Sequence, residues 1–366
     1  MTRAPAPPLP GRFRVRLGPV SRLGHTRSLW TTAALLLAGV ALLGATLLWP
    51  GAGVTPSTAL GALTGEDAGF SGTVVLQWRL PRALSAAAVG AALAVSGALF
   101  QALTRNPLGS PDIIGFNTGA YTGVLTALLL GHSGFGAVSL GALIGGAAAA
   151  AAVGVLSWKQ GFDGLRLILV GLGVSMMLSA FNRWLILRGD QETALSAATW
   201  GAGTLNGIRW ESALPACALL ALLLALSAGA GRTLSLLGLG DESATALGLP
   251  RTAPRLLLLA AGVLLTAVCT ALAGPISFIA LAAPHIAQRL TRSPRPHLAS
   301  TAAAGAALLL LADLCAQRLF APVQLPVGLV TVTLGGLYLM ALLASRQRRP
   351  SLRPVSAPSR PRSPHD

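Results

Sequence analysis

The stretch AAAVGAALAVSGAL, Ala86 to Leu99, carries no charge and only one hydroxyl, and alanine and glycine fill most of its positions. With its flanks it reads as one helix over 80–104, long enough to cross a bilayer core, which takes roughly 20 apolar residues. Such a helix has no polar face to show water. In lipid, small residues instead let helix backbones approach closely where the solvent supplies no hydrophobic drive between them.

The rest of the chain has the same character. Of 366 residues, 53% are hydrophobic and 10% charged, against about 25% charged in a soluble domain, and mean hydropathy is +0.67. Further spans are predicted over 29–49, 113–131, 135–157, 165–187, 212–230, 254–273, 276–291, 299–318 and 326–345, making ten, with a short helix within 191–204. The first run is too long for a signal-peptide core and reads as a retained helix. The small-residue run GALIGGAAAAAAVG, 141–154, repeats the lesson of the opening stretch, so the fold class is an all-α polytopic bundle, tightly packed.

Charge fixes the orientation. Of 27 Lys and Arg, six (Arg79, Arg82, Arg183, Arg188, Arg209 and Arg318) fall outside if the N-terminus is inside, leaving 21 on the inner side. That split follows the positive-inside rule, with both termini cytoplasmic. The net charge of +16 therefore reports topology and not nucleic-acid binding. Three segments result: a basic, Pro-rich tail over 1–27, a membrane domain over 28–345 and a second basic tail over 346–366, both tails reading as disordered.

Catalytic motifs are missing. There is no HExxH, no GxSxG and no pair of carboxylates within a span, and the single lysine, Lys159, lies in WKQGFDG, which excludes a GxxxxGK[ST] phosphate loop. Cys217, Cys269 and Cys315 each sit alone in an apolar run, so no metal site is expected. The chain reads as a non-enzyme that binds no cofactor of its own.

Four segments stand out. In LGLGDESATALGLPR, 237–251, Asp241 is placed to cap a short helix with Glu242 in its first turn, ending at Leu247 before Gly248 and Pro250. This is either an interhelical turn or a docking helix on the inner face. In WRLPRAL, 78–84, Arg79 and Arg82 flank Pro81 at a helix start on the outer side, where Arg318 also ends a helix; they either reach headgroups or meet carboxylates of an external partner. In SAFNRWL, 179–185, Phe181 and Asn182 are candidates to line a path, with an Asn satisfied between helices the alternative. In GPISFIALAAPHIAQRL, 274–290, Gly274 and Pro275 stop one helix and start a short one. Pro284 is expected to break or kink that helix, with His285 bonded to backbone that Pro284 frees and no metal held. Asp313 is expected to pair with Arg318 or to cap a helix.

RLPRALSAAAVGAALAVSGALFQALTRNPLGSPDIIGFNTGA (79–120), LGLGDESATALGLPR and AGPISFIALAAPHIAQRL (273–290) together resemble the iron-siderophore and vitamin B12 permease family of ATP-binding-cassette importers. DLCAQRLFAPVQLPVGLVTVTLGGLYL (313–339) and ETALSAATWGAGTLNGIRW (192–210) are similar in particular to the G-type subunits of ferric-enterobactin permeases. The resemblance spans nearly everything between the tails. It implies ten spans per subunit and a second permease subunit, a heterodimer favoured, around a central path. It also implies two cytoplasmic ATPase subunits that use the ATP and dock about Asp241, Glu242, Ala246, Leu247, Gly248 and Leu249. An extracytoplasmic siderophore-binding protein would dock on Arg79, Arg82 and Arg318. The implied cargo is a ferric siderophore, an enterobactin-like catecholate favoured, with cobalamin or haem as the alternatives within the family. The implied location is the cytoplasmic membrane. A proton-coupled secondary transporter is the competing class, and it needs mid-membrane ionisable groups that the sequence hardly supplies.

Overall fold

A computed structural model describes residues 12–17, 20–51, 53–65, 69–157, 164–250, 252–293 and 297–347. The sequence reading has the N-terminal tail disordered to residue 27. In the structure, β1 (Arg12–Leu17) and β2 (Val20–His25) pair antiparallel, with Arg12 opposite His25. Lys159 and most of both tails lie outside the described residues.

The helices that follow are α1 (Thr26–Leu48), α2 (Pro56–Thr64), α3 (Gly69–Thr73), a π-helical turn (Val74–Arg79), α4 (Leu80–Thr104), α5 (Phe116–Leu129), α6 (Phe135–Ser157), α7 (Gly164–Arg188), α8 (Gln191–Gly201), α9 (Trp210–Ser227), α10 (Gly231–Leu237), α11 (Asp241–Ala246), α12 (Ala253–Ala273), α13 (Ile279–Thr291), α14 (Leu298–Arg318) and α15 (Val327–Gln347). The ten predicted spans correspond to α1, α4, α5, α6, α7, α9, α12, α13, α14 and α15. Among the described residues, seven segments are each long and apolar enough to cross a bilayer. Helices α5 and α13, with 14 and 13 residues, are too short to do so alone and are housed inside the bundle. The predicted span from 113 begins later because Pro111–Ile114 forms a separate 3₁₀ turn closed by Gly115.

The opening stretch forms the axis. Helix α4 is buried along most of its length and packs against α9, α12, α13 and α14. A second group, α5, α6 and α7, leans on this core through Phe100, Phe116 and Ala267. Helices α5 and α6 show how glycine permits this. A Cβ on Gly123 would lie 1.9 Å from the carbonyl oxygen of Gly141, and one on Gly145 2.2 Å from that of Gly119. Both helices thus present a G-x-x-x-G face, and backbones meet where side chains would separate them. Helix α7, by contrast, exposes Leu165, Leu169, Met176, Met177 and Leu187, as suits a surface against lipid or another membrane chain.

Helix α2 escaped the sequence reading. Thr55 and Thr58 build a capping box, each side chain meeting the other's backbone N–H, with Pro56 at the first helical position.

Candidate functional site

Two proline effects shape the outer end of α4. Pro81 has no N–H, and the chain absorbs the missing donor in the π-helical turn, where the Leu80 amide donates to Val75. The carbonyl of Leu76 is then left without a helical partner, and the indole Nε1 of Trp210, at the start of α9, donates to it at 2.8 Å. This fixes where Arg79 and Arg82 emerge.

Both arginines turn inward. The Arg79 guanidinium donates to the carbonyls of Leu47 at 2.9 Å, Trp49 at 2.6 Å and Gly51 at 2.9 Å. These groups lie at the C-terminal end of α1, where carbonyls lack intrahelical partners and a cation is favourably placed. Arg82 forms a two-pronged ion pair with Asp313 of α14, Nη2 lying 2.8 Å from Oδ1 and Nε 3.1 Å from both oxygens, while its Nη1 donates to Gln324 at 3.0 Å. Gln317 donates to the other side of the same carboxylate at 2.7 Å, and Asp313 is 1% exposed. Asp313 therefore pairs with Arg82, not with Arg318. A guanidinium matches a carboxylate in two parallel bonds, and the pairing joins helices distant in sequence.

Arg318 ends α14 as expected, with its guanidinium over the Trp49 ring at 5.4 Å. With Arg209 from the α8–α9 connection, Arg79, Arg82 and Arg318 surround a cavity of about 380 Å³ on the outer side, shared with Gln317 and Gln324. Arg209 was counted in the sequence only as an outer charge. Its role beside the others depends on a tertiary approach that no local motif encodes.

At the inner face, α11 follows the predicted length but shifts by one residue. Gly240, at φ +97°, holds the N-cap position, and Asp241 is the first helical residue. A glycine there reaches a backbone conformation that Asp does not favour. The other end closes as a Schellman motif: Leu249 N–H bonds to Ala244 O and Gly248 N–H to Thr245 O, both at 2.9 Å, with Gly248 at φ +86°. Glu242, Ala246, Leu247 and Gly248 are exposed, whereas Ala244 is buried beneath them. The arrangement is a hydrogen-bonded turn with its outer residues exposed.

The segment between α12 and α13 breaks where Gly274 and Pro275 stand. Pro284 does not break the following helix, because α13 runs continuously from Ile279 to Thr291. Gln101 of α4 instead donates to Leu281 O at 3.2 Å, one turn before the proline. His285 meets neither of these groups. Its Nε2 donates at 2.7 Å to Pro107 O, in the connection leading from α4 towards α5, which ties α13 to that connection. No group of three metal-ligating side chains occurs among the described residues. Phe278, which no local motif singles out, precedes α13 at φ +71° with its ring against Gly335 of α15. A bulky residue in that conformation is strained, which marks the α12–α13 junction as held by its surroundings.

Asn182 is 4% exposed, receives a hydrogen bond from Thr122 at 2.7 Å and donates to Thr118 O at 3.1 Å, so it links α7 to α5. Phe181, half exposed, stacks on Trp184. The two neighbours thus face different surroundings.

Comparisons with known proteins agree with this architecture. Residues 26–345 match the FecCD transport family. The chain is 49% identical over 326 residues to the ferric enterobactin transport system permease protein FepG of Escherichia coli, covering 88% of this chain and 98% of that protein. It is 37% identical to the Fe(3+) dicitrate transport system permease protein FecD of Escherichia coli, over 85% of this chain and 98% of that one. It is also 37% identical to the vitamin B12 import system permease protein BtuC of Escherichia coli, over 75% and 84%. A solved structure described as an inward-facing conformation of a putative metal-chelate type ABC transporter superposes with a TM-score of 0.76 at 28% identity, covering 86% of this chain and 98% of that one. With seven membrane-length apolar segments among the described residues, close glycine packing and the motifs of both faces in register, the chain is a multi-pass membrane protein of the FecCD transport family.

Proposed function

We propose that the chain is the permease subunit of an importer in the cytoplasmic membrane that moves a ferric siderophore inward, driven by separate ATPase subunits that use the ATP. The observation that carries this reading is the polarity of the bundle, with an arginine-lined cavity outside and an exposed, capped α11 inside. The outer face receives a loaded binding protein at the cavity that Arg79, Arg82 and Arg318 line. The inner face gives the ATPase the ridge formed by Asp241, Glu242, Ala246, Leu247, Gly248 and Leu249. Two permease subunits enclose the path, and the greater likeness to one member of an unlike pair supports a heterodimer. An enterobactin-like ferric catecholate is the cargo that the 49% relative supports over dicitrate or cobalamin. The junction at Gly274 and Pro275, with α13 pinned through His285, gives the movement of the ATPase a route into the bundle. The chain forms no covalent bond with its cargo.

The test is uptake of radiolabelled ferric catecholate into vesicles holding the whole transporter. Uptake is expected to stop with vanadate and to survive collapse of the proton gradient. Uptake that continued under vanadate while a proton gradient was maintained would overturn the reading.

Gly248 tests the inner face. Valine at φ +86° is strained by about 1–3 kcal/mol, although nothing lies within 4 Å of the position where its Cβ would be. Gly248→Val is therefore expected to misshape the α11 ridge and not the bundle. Transport should fall about tenfold or more while the ATPase still turns over, and unchanged coupling of the two rates would count against docking there.

A further inference from the structure

The β1–β2 ribbon lies outside the match to the transport family, which begins at residue 26, and neither of the two docking faces proposed above uses it. Its register sorts its residues by face, because residues directly opposite each other in an antiparallel pair share one. Arg12, Arg14 and Arg16 fall on one face, opposite His25, Leu23 and Ser21, whereas Phe13, Val15 and Leu17 fall on the other, opposite Gly24, Arg22 and Val20. No acidic residue occurs before Glu66, so the arginine face has no counter-ion within its own segment. We propose that the ribbon is a surface anchor that lies in the plane of the inner leaflet. Its Phe13, Val15, Leu17 and Val20 face meets the acyl boundary, and Arg12, Arg14 and Arg16 stand among anionic phospholipid headgroups. The inference rests on the cytoplasmic N-terminus that the arginine split assigns and on no part of the cargo reading.

The chain itself holds the ribbon at that level. β2 ends at His25 and α1 starts at Thr26, with no linker between them. Arg27, in the first turn of α1, donates from Nε to Leu290 O near the end of α13 at 3.0 Å, so this end of α1 is tied to the inner end of another helix. Trp30, one turn into α1 and 77% exposed, stands where an indole marks the headgroup level. A two-stranded ribbon is marginally stable alone in water, and among the described residues no third strand joins this one. A membrane surface supplies the missing layer. An amphipathic element with arginines on its polar face binds such a surface through its buried apolar area together with attraction to anionic lipid. A nucleic acid would take the cations and leave the Phe13, Val15 and Leu17 face in water, so the alternation favours lipid.

The experiment places the full-length chain in nanodiscs of phosphatidylcholine alone or of phosphatidylcholine mixed with phosphatidylglycerol, and follows hydrogen–deuterium exchange of the amides in 12–25. Exchange is expected to be about tenfold slower or more in the anionic discs, and the difference is expected to shrink at high salt. Replacing all three arginines by glutamine (Arg12→Gln, Arg14→Gln, Arg16→Gln) should abolish the difference at unchanged melting temperature. The corresponding triple change to lysine should keep it, because the charge is retained. Equal exchange of the wild type in both discs overturns the proposal, as does a glutamine variant that stays protected in the anionic ones. Loss of protection in the lysine variant as well would place the effect in strand structure and not in charge, and overturns it too. It is overturned equally if protection is missing from anionic discs and appears in neutral ones only when the ATPase subunits or RNA are added, which would make a soluble macromolecule the partner. Since no uptake is measured, failure of the importer reading would leave this result standing.

Discussion

Asp313→Ala should destabilise the bundle by about 3–5 kcal/mol, because it leaves the Arg82 guanidinium buried without its counter-ion. The carboxylate receives Arg82 on both oxygens and Gln317 besides, at 1% exposure. The loss also reaches beyond one pair. Arg82 starts α4 and Asp313 lies near the end of α14, so the bond clamps the outer ends of two helices already packed along their length. Thermal unfolding in detergent would read the effect as a large fall in melting temperature. A paired replacement, Arg82→Met with Asp313→Leu, is expected to recover most of it, since apolar side chains of similar volume leave no unpaired charge. A single Asp313→Ala variant that melts with the wild type would show that the pair carries no stability. If the double variant melts as low as the single one, packing and not charge is what Asp313 supplies.

This pair marks the boundary of what the sequence could show. The spans were legible because a bilayer demands long apolar runs, and the orientation because arginines collect on one side. The end of α12 was legible too, since Gly274 and Pro275 state a stop in local terms. What is settled between helices was not. Asp313 has Arg318 five residues away in sequence, yet its partner is 231 positions distant, and only the packing of α4 on α14 brings the two together. The partner of His285 was misread for the same reason: Pro284 leaves a carbonyl free nearby, but the imidazole faces Pro107, 178 positions away. The cap of α11 failed on a smaller scale. Asp241 is a good N-cap by composition, and Gly240 took the position because the chain enters that helix at positive φ. Asn182 was left open between two readings in the sequence, and its bonds to Thr118 and Thr122 favour the structural one.

Gly97, in the stretch that decides the fold, should be the least replaceable glycine of α4. A Cβ built there would stand 1.7 Å from the carbonyl oxygen of Ala280, 2.5 Å from its carbon and 2.8 Å from its Cα. These are backbone atoms of α13, so no side-chain rotation relieves the clash. Ala280 is also four residues before Pro284, and its carbonyl is the one that the proline leaves without a helical donor. The contact therefore seats a freed carbonyl directly against the Cα of Gly97, an approach that weak Cα–H···O attraction favours and any side chain forbids. Gly97→Ala is expected to push α13 away from α4 and to cost about 3 kcal/mol, the upper end for overpacking. It should also weaken the Gln101 bond to Leu281 O, one turn along the same interface. Gly154 supplies the control, because nothing lies within 4 Å of a Cβ built there and alanine favours the helix by about 0.5–1 kcal/mol. Melting of the two variants in parallel should separate them by several degrees or more, with Gly154→Ala at or above the wild type. Since α13 also holds the α4–α5 connection through His285, Gly97→Ala is expected to lose transport even where protein persists in the membrane. Equal melting of the two alanine variants would mean that α13 yields freely against α4. The α12–α13 junction would then have no rigid helix through which to pass on the movement proposed for an ATPase partner.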